Sequence, residues 1–275
     1  MKNGKTYELV LTALFTSIIV IMAFTPLGYI PLVVINATII HIPVILGSLF
    51  LGPKKGAFLG FVFGLTSLIN NTFKAATASA FVFSPVLAAN IAGVSGIFKS
   101  LYICFVPRIL VGIIPYFVYI LIRRLLKENQ KIWRIVINAV LSVIFLISVR
   151  GFVNNLMQGE KSSLPGTASG VIAGVLLFVI LTITSRKKAS ASTALAWAGM
   201  TGAFTNTLFV MSGIYILYKD AYAKALGIAG DAVIDIIMGV VSFNGIVEAT
   251  VAAILVAGVG LALLQIKPVK EPAQK

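Results

Sequence analysis

The stretch FVPRILVGIIPYF, Phe105–Phe117, places one arginine, Arg108, inside a run otherwise suited to lipid. Extended on both sides it becomes Leu101–Ile122. That is long enough for a helix crossing a bilayer, which needs roughly 20 apolar residues. A charge in such a helix costs about 2.5–3.5 kcal/mol near the bilayer centre, so it persists where it faces a pocket, water or another charge. The question of what Arg108 faces organises the rest of the sequence.

Composition agrees with a membrane setting. Of 275 residues, 59% are hydrophobic and 11% charged, and the mean hydropathy is +1.04. A soluble domain carries about 25% charged residues and cannot cover its surface with fewer than half of them. Cys104 is the single cysteine, which excludes an internal disulfide and a zinc site built on several thiolates. The first apolar run begins near Tyr7 and continues without a small-residue cleavage site, so no removable signal peptide is expected.

Runs of spanning length, ended by charges or by Pro and Gly clusters, are Tyr7–Thr25, Val33–Leu51, Gly56–Asn70, Leu101–Ile122, Ile132–Val149, Thr167–Ser185, Leu195–Leu217 and Val241–Ile266. Ser79–Ile97 is also apolar, but Pro85 and its Gly and Asn interruptions predict an extracytoplasmic loop dipping toward the membrane. The expected fold is an all-α integral membrane protein, a bundle of about eight transmembrane helices in one domain with both termini cytoplasmic. In that orientation 15 Lys and Arg residues fall on inner segments and six on outer ones, with Arg108 left in the membrane, as the positive-inside rule requires. The net charge of +14 is therefore a topology signal. Nucleic-acid binding would need basic residues interleaved with aromatics on a soluble face, and is not expected.

Three spans carry small residues four apart: Gly56, Gly60 and Gly64; Gly166, Gly170 and Gly174; and Ala249, Ala253 and Ala257. The first span has Ala13 and Ser17 in the same relation. Such faces let two helix backbones approach closely, either within the chain or against another subunit. Catalytic and cofactor signatures are missing. GPKKGAFLG, Gly52–Gly60, lacks the order of a phosphate-binding loop, so any ATP-driven activity would need another chain. One histidine and one cysteine leave little for nucleophilic or metal catalysis, so neither an enzyme nor a cofactor or metal site is expected.

The remaining candidates are polar residues within spans. Arg108 and Glu248 each lie seven residues into a helix entering from outside, about 10 Å deep. His41 is at a comparable level with Asn36 above it; Asn206, in the Thr205–Thr207 triplet TNT, is nearer the midplane, and Asn244 is one turn above Glu248. Arg108 could brace Glu248 in an ion pair, or bind a ligand carboxylate through its planar fork. His41, Asn206 and Asn244 could bond neighbouring helices or a ligand.

At these residues the chain resembles a known family. ATIIHIPVILGSLFLGPKKGAFLGFVFGLTSLI (Ala37–Ile69), FVPRILVG (Phe105–Gly112), GAFTNTLFV (Gly202–Val210) and FNGIVEATVAAIL (Phe243–Leu255) resemble the S components of energy-coupling factor transporters, pantothenate-type branch. The resemblance implies a bacterial cell-membrane protein that captures a small vitamin at its outer face, with pantothenate the best match. The polar residues within spans, Arg108, His41, Asn36, Asn206, Asn244 and Glu248, are the candidates to hold it. The resemblance also implies as partners a transmembrane coupling subunit and two ABC-type ATPases, with Ala13 and Ser17 matching the family's Ala-x-x-x-Ala contact stripe. The chain departs from the six-helix pattern by an extra pair of spans within about residues 131–190, leaving 1–130 and 191–275 as the core. A self-sufficient secondary transporter of a small organic anion is the alternative; it predicts related halves and coupling-ion ligands in broken helices, and no clear repeat is visible.

Overall fold

The computed structural model describes residues 2–31, 36–74, 77, 79–128, 130–156, 164–183 and 189–266. Its helices are α1 (Lys2–Phe24), α2 (His41–Leu51), α3 (Pro53–Lys74), α4 (Pro85–Val111), α5 (Ile114–Glu128), α6 (Gln130–Leu156), α7 (Leu164–Ile183), α8 (Ala189–Leu226), α9 (Val233–Val240) and α10 (Ile246–Ile266). Among the described residues five helical segments are long and apolar enough to cross a membrane: Lys5–Phe24, Pro53–Lys74, Pro85–Leu126, Ala191–Leu226 and Ile246–Ile266. Shorter apolar helices cover His41–Leu51, Ile135–Gly151 and Leu164–Ile180. The protein is an all-α membrane protein.

Two segments differ from expectation. Val33–Leu51 is not one continuous span. A small hairpin, β1 (Tyr29–Pro31) and β2 (Asn36–Thr38), pairs Tyr29 with Thr38, Ile30 with Ala37 and Pro31 with Asn36. Helix begins only at His41, where Ile40 takes helical backbone angles, φ −60° and ψ −26°, and the Ile42 N–H bonds back to the Ile39 carbonyl at 3.0 Å. The 11 residues of α2 rise about 16 Å, roughly half a hydrocarbon core. Ser79–Ile97 is not a loop either. Ser84 caps α4 by accepting from the Leu87 N–H at 3.3 Å, and Pro85 takes the first helical position, where its missing N–H costs nothing. Here the proline starts a helix, and Gly93, at φ +62°, supplies the bend.

Toward the chain's end, α8 runs beyond the expected Leu217 to Leu226 with an irregular step at Tyr218. A 3₁₀ turn at Gly230–Ala232, α9 and a π turn over Val241–Gly245 then lead into α10.

The glycine stripes pack within the chain. A Cβ on Gly56, Gly60 or Gly64 would collide with the carbonyl oxygens of Gly112, Arg108 and Cys104 respectively. Helices α3 and α4 therefore cross antiparallel with backbones in contact, in a register that steps four residues on each helix. Gly170 and Gly174 do the same for α7 against Leu146 and Ser142 of α6. On α10, Ala249 and Ala253 are buried, while Gly199 of α8 seats against the Ala252 carbonyl. One hydrophobic core joins α1, α2, α3, α4, α5, α6, α8 and α10. A second, including Phe81, Ile103, Ile214, Tyr218 and Ile237, lies among the 3₁₀ turn at Ala80–Phe83, α4, α8 and α9.

Candidate functional site

The site begins with the proline beside the arginine. Pro107 has no N–H, so the carbonyl of Ile103, four residues earlier, loses its helical donor. The Arg108 side chain folds back and donates from Nη1 to that carbonyl at 2.6 Å. Its other terminal nitrogen reaches the Ser67 hydroxyl of α3 at 3.5 Å. The guanidinium carbon lies 5.5 Å from the Phe63 ring centroid and 5.1 Å from that of Phe83, so aromatic faces on two elements attract the cation. Arg108 is 6% exposed. Proline and arginine thus act together: one opens a helix carbonyl, and the other uses it to hold a charge in place.

This charge forms part of the wall of a cavity of about 210 Å³. Around it, α3 contributes Phe63, Thr66, Ser67, Asn70 and Asn71, while Thr38 comes from the hairpin and Asn206 from α8. The amide oxygens of Asn70 and Asn206 are buried without a hydrogen-bond partner. A buried acceptor left unmade costs about 1–3 kcal/mol, so two of them on one cavity point to a donor-bearing ligand.

The other expected site residues fall in different places. Glu248 is buried and makes no ion pair with Arg108; the salt bridge among the described residues joins Lys55 to Glu8 at 2.7 Å. Its carboxylate instead accepts from the Thr38 backbone N–H at 2.9 Å and from the Thr207 hydroxyl at 3.1 Å. The TNT triplet therefore divides its work. Thr205 bonds back to the Thr201 carbonyl, Asn206 faces the cavity, and Thr207 ties α8 to Glu248. Glu248 holds the cavity wall from behind. Asn36 pairs with Pro31 in the hairpin, and its side chain lies outside the described residues. His41 is wholly buried with neither ring nitrogen bonded, and Asn244 has an unbonded amide oxygen; neither lines the cavity.

Sequence reading missed Thr66, Ser67, Asn70 and Asn71. Their signal was present, since two polar pairs four residues apart mark one face of a helix, but their place at the end of a span made them look like a boundary.

Glu248→Ala is expected to leave the Thr38 N–H and the Thr207 hydroxyl without their acceptor. At about 1–3 kcal/mol this corresponds to a ligand affinity loss of roughly 5- to 150-fold. Glu248→Gln keeps an oxygen for Thr38 and should retain most of the affinity. Titration calorimetry on the purified variants checks both; equal losses would show that the charge itself matters.

No family model matches the chain. A pantothenic acid transporter, PanT, of Lactococcus lactis subsp. cremoris is 36% identical over 192 residues, which span 66% of this chain and 93% of that relative. The chain belongs to the PanT family. A pantothenate transporter PanT of Leuconostoc mesenteroides is 34% identical over 119 residues, covering 42% of this chain and 51% of its own length. The chain is a multi-pass transporter of a bacterial cell membrane, and it is longer than the Lactococcus relative.

Proposed function

We propose that the chain captures pantothenate in the cavity at Arg108 from the outer face of the membrane, as the substrate-binding subunit of an energy-coupling factor importer. One observation carries the ligand: a buried cation and two orphaned amide acceptors share one cavity. Pantothenate offers a carboxylate for the guanidinium, and an amide N–H and two hydroxyls for the oxygens of Asn70 and Asn206. Its methyl and methylene groups suit Phe63, Phe83, Ala23 and Ile40, which complete the lining. The names of the PanT relatives agree with this ligand.

Energy coupling rests on other features. The sequence carries no phosphate-binding loop, so ATP hydrolysis belongs to partner subunits. On α1, Ala13 and Ser17 face away from the bundle. The Ser17 hydroxyl donates to the Ala13 carbonyl at 3.0 Å, which withdraws its polarity and leaves a shallow outward face for a partner helix. The purified chain should bind pantothenate without hydrolysing ATP, and uptake in cells should require a separate ATPase module. Pantothenate uptake by vesicles holding this chain alone would overturn the coupled reading and favour a self-sufficient transporter.

Ala13→Trp and Ser17→Trp are expected to abolish most uptake while leaving pantothenate affinity within about twofold, since an exposed position absorbs a ring at little cost to stability. Paired uptake and binding measurements test this. A parallel loss of affinity would place the stripe in internal packing.

A further inference from the structure

Away from the ligand cavity, a groove of about 320 Å³ runs between α4 and α8, lined by Phe98, Lys99, Tyr102, Gly213, Ile216 and Leu217. Its apolar walls face outward: Phe98 is 67% exposed and Ile216 75%. On two spanning helices that direction is toward lipid. At its floor Gly213 lets α8 pack closely on α4, since a Cβ there would meet the Ile103 side chain at 3.2 Å.

One cation is held at this groove: the Lys99 ammonium lies 5.6 Å from the Tyr218 ring centroid. Tyr218 is itself fixed, its hydroxyl donating to the Gly96 carbonyl at 2.6 Å and lying 2.9 Å from the Ser100 hydroxyl, with its ring edge-on to Phe81. Lys99 is thus set against α8, and it makes no salt bridge among the described residues. Lys99 precedes Arg108 by nine residues, about 14 Å along the helix. Beside Tyr102 in the lining it forms the pairing of lysine and tyrosine that gathers at the headgroup level of a bilayer.

We propose that this groove binds an anionic phospholipid, its phosphate held by Lys99 and one acyl chain laid along Phe98, Tyr102, Ile216 and Leu217. An acidic peptide would satisfy the lysine, but it would leave the apolar wall uncovered. A phospholipid satisfies both.

Native mass spectrometry of the purified full chain, with phosphatidylglycerol and phosphatidylcholine of identical acyl chains, tests the site. A lysine near an anionic lipid surface contributes about fivefold. The chain should therefore retain phosphatidylglycerol about fivefold better, and Lys99→Gln should bring the two lipids close to parity. Phe98→Ala with Ile216→Ala, which strips exposed apolar wall from the groove, should lower retention of both. Equal retention by the unaltered chain, or an unchanged preference in Lys99→Gln, would overturn the proposal. So would displacement of the lipid by glycerol phosphate at equal concentration, which would reduce the site to a phosphate-binding one.

Discussion

Arg108→Ala is expected to weaken pantothenate binding by the purified chain about 30-fold or more. Truncating one member of a buried charged contact costs roughly 2–5 kcal/mol, and 2 kcal/mol is already about 30-fold. The loss has two sources: the ligand carboxylate no longer meets a cation, and the Ile103 carbonyl freed by Pro107 loses the donor that replaced its helical partner. Arg108→Lys should not restore affinity. A lysine brings the charge but not the planar fork that lies over the Phe63 and Phe83 rings while reaching Ile103. The double variant Arg108→Leu with Glu248→Leu separates ligand binding from bracing. Because Glu248 bonds Thr38 and Thr207 instead of Arg108, the apolar pair has no ion pair to replace and should not recover binding. Near-normal affinity in a folded double variant would refute the ligand role.

Gly60→Leu is expected to be as damaging by a different route. Any Cβ at Gly60 meets the Arg108 carbonyl oxygen and backbone carbon, which cannot turn aside as a side chain could. Helices α3 and α4 must separate, carrying Ser67, Asn70 and Asn71 away from Arg108. Overpacking of a core typically costs about 1–3 kcal/mol, and a clash of backbone against backbone belongs at or above the top of that range. The unfolding temperature in detergent should fall and pantothenate binding should be lost. Gly258→Leu on α10 is the control: nothing lies within 4 Å of a Cβ there, and the substitution should be nearly silent. Equal effects at the two glycines would mean that helix propensity, and not the α3–α4 crossing, sets the cost.

These two predictions mark where sequence and structure divide. The membrane setting and most helices were legible in the sequence, because hydropathy and helix length are sums over neighbouring residues. The glycine stripes announced close approach, yet they could not name the partner helix; that Gly60 meets Arg108 follows only from the α3–α4 crossing. Pro107 beside Arg108 was visible as a pair, but its consequence needed the guanidinium folded onto Ile103. Local rules misled where one residue has two uses. Pro85 read as a helix breaker and proved a helix starter, since Ser84 caps the turn before it. Glu248 read as a brace for Arg108, since a buried carboxylate needs partners and an arginine at similar depth was the nearest candidate. Its partner is instead the backbone of Thr38, 210 residues away. Contacts across such a separation depend on how each helix is rotated about its axis and on the angle at which it crosses its neighbour. Both are settled by packing, which no run of neighbouring residues encodes.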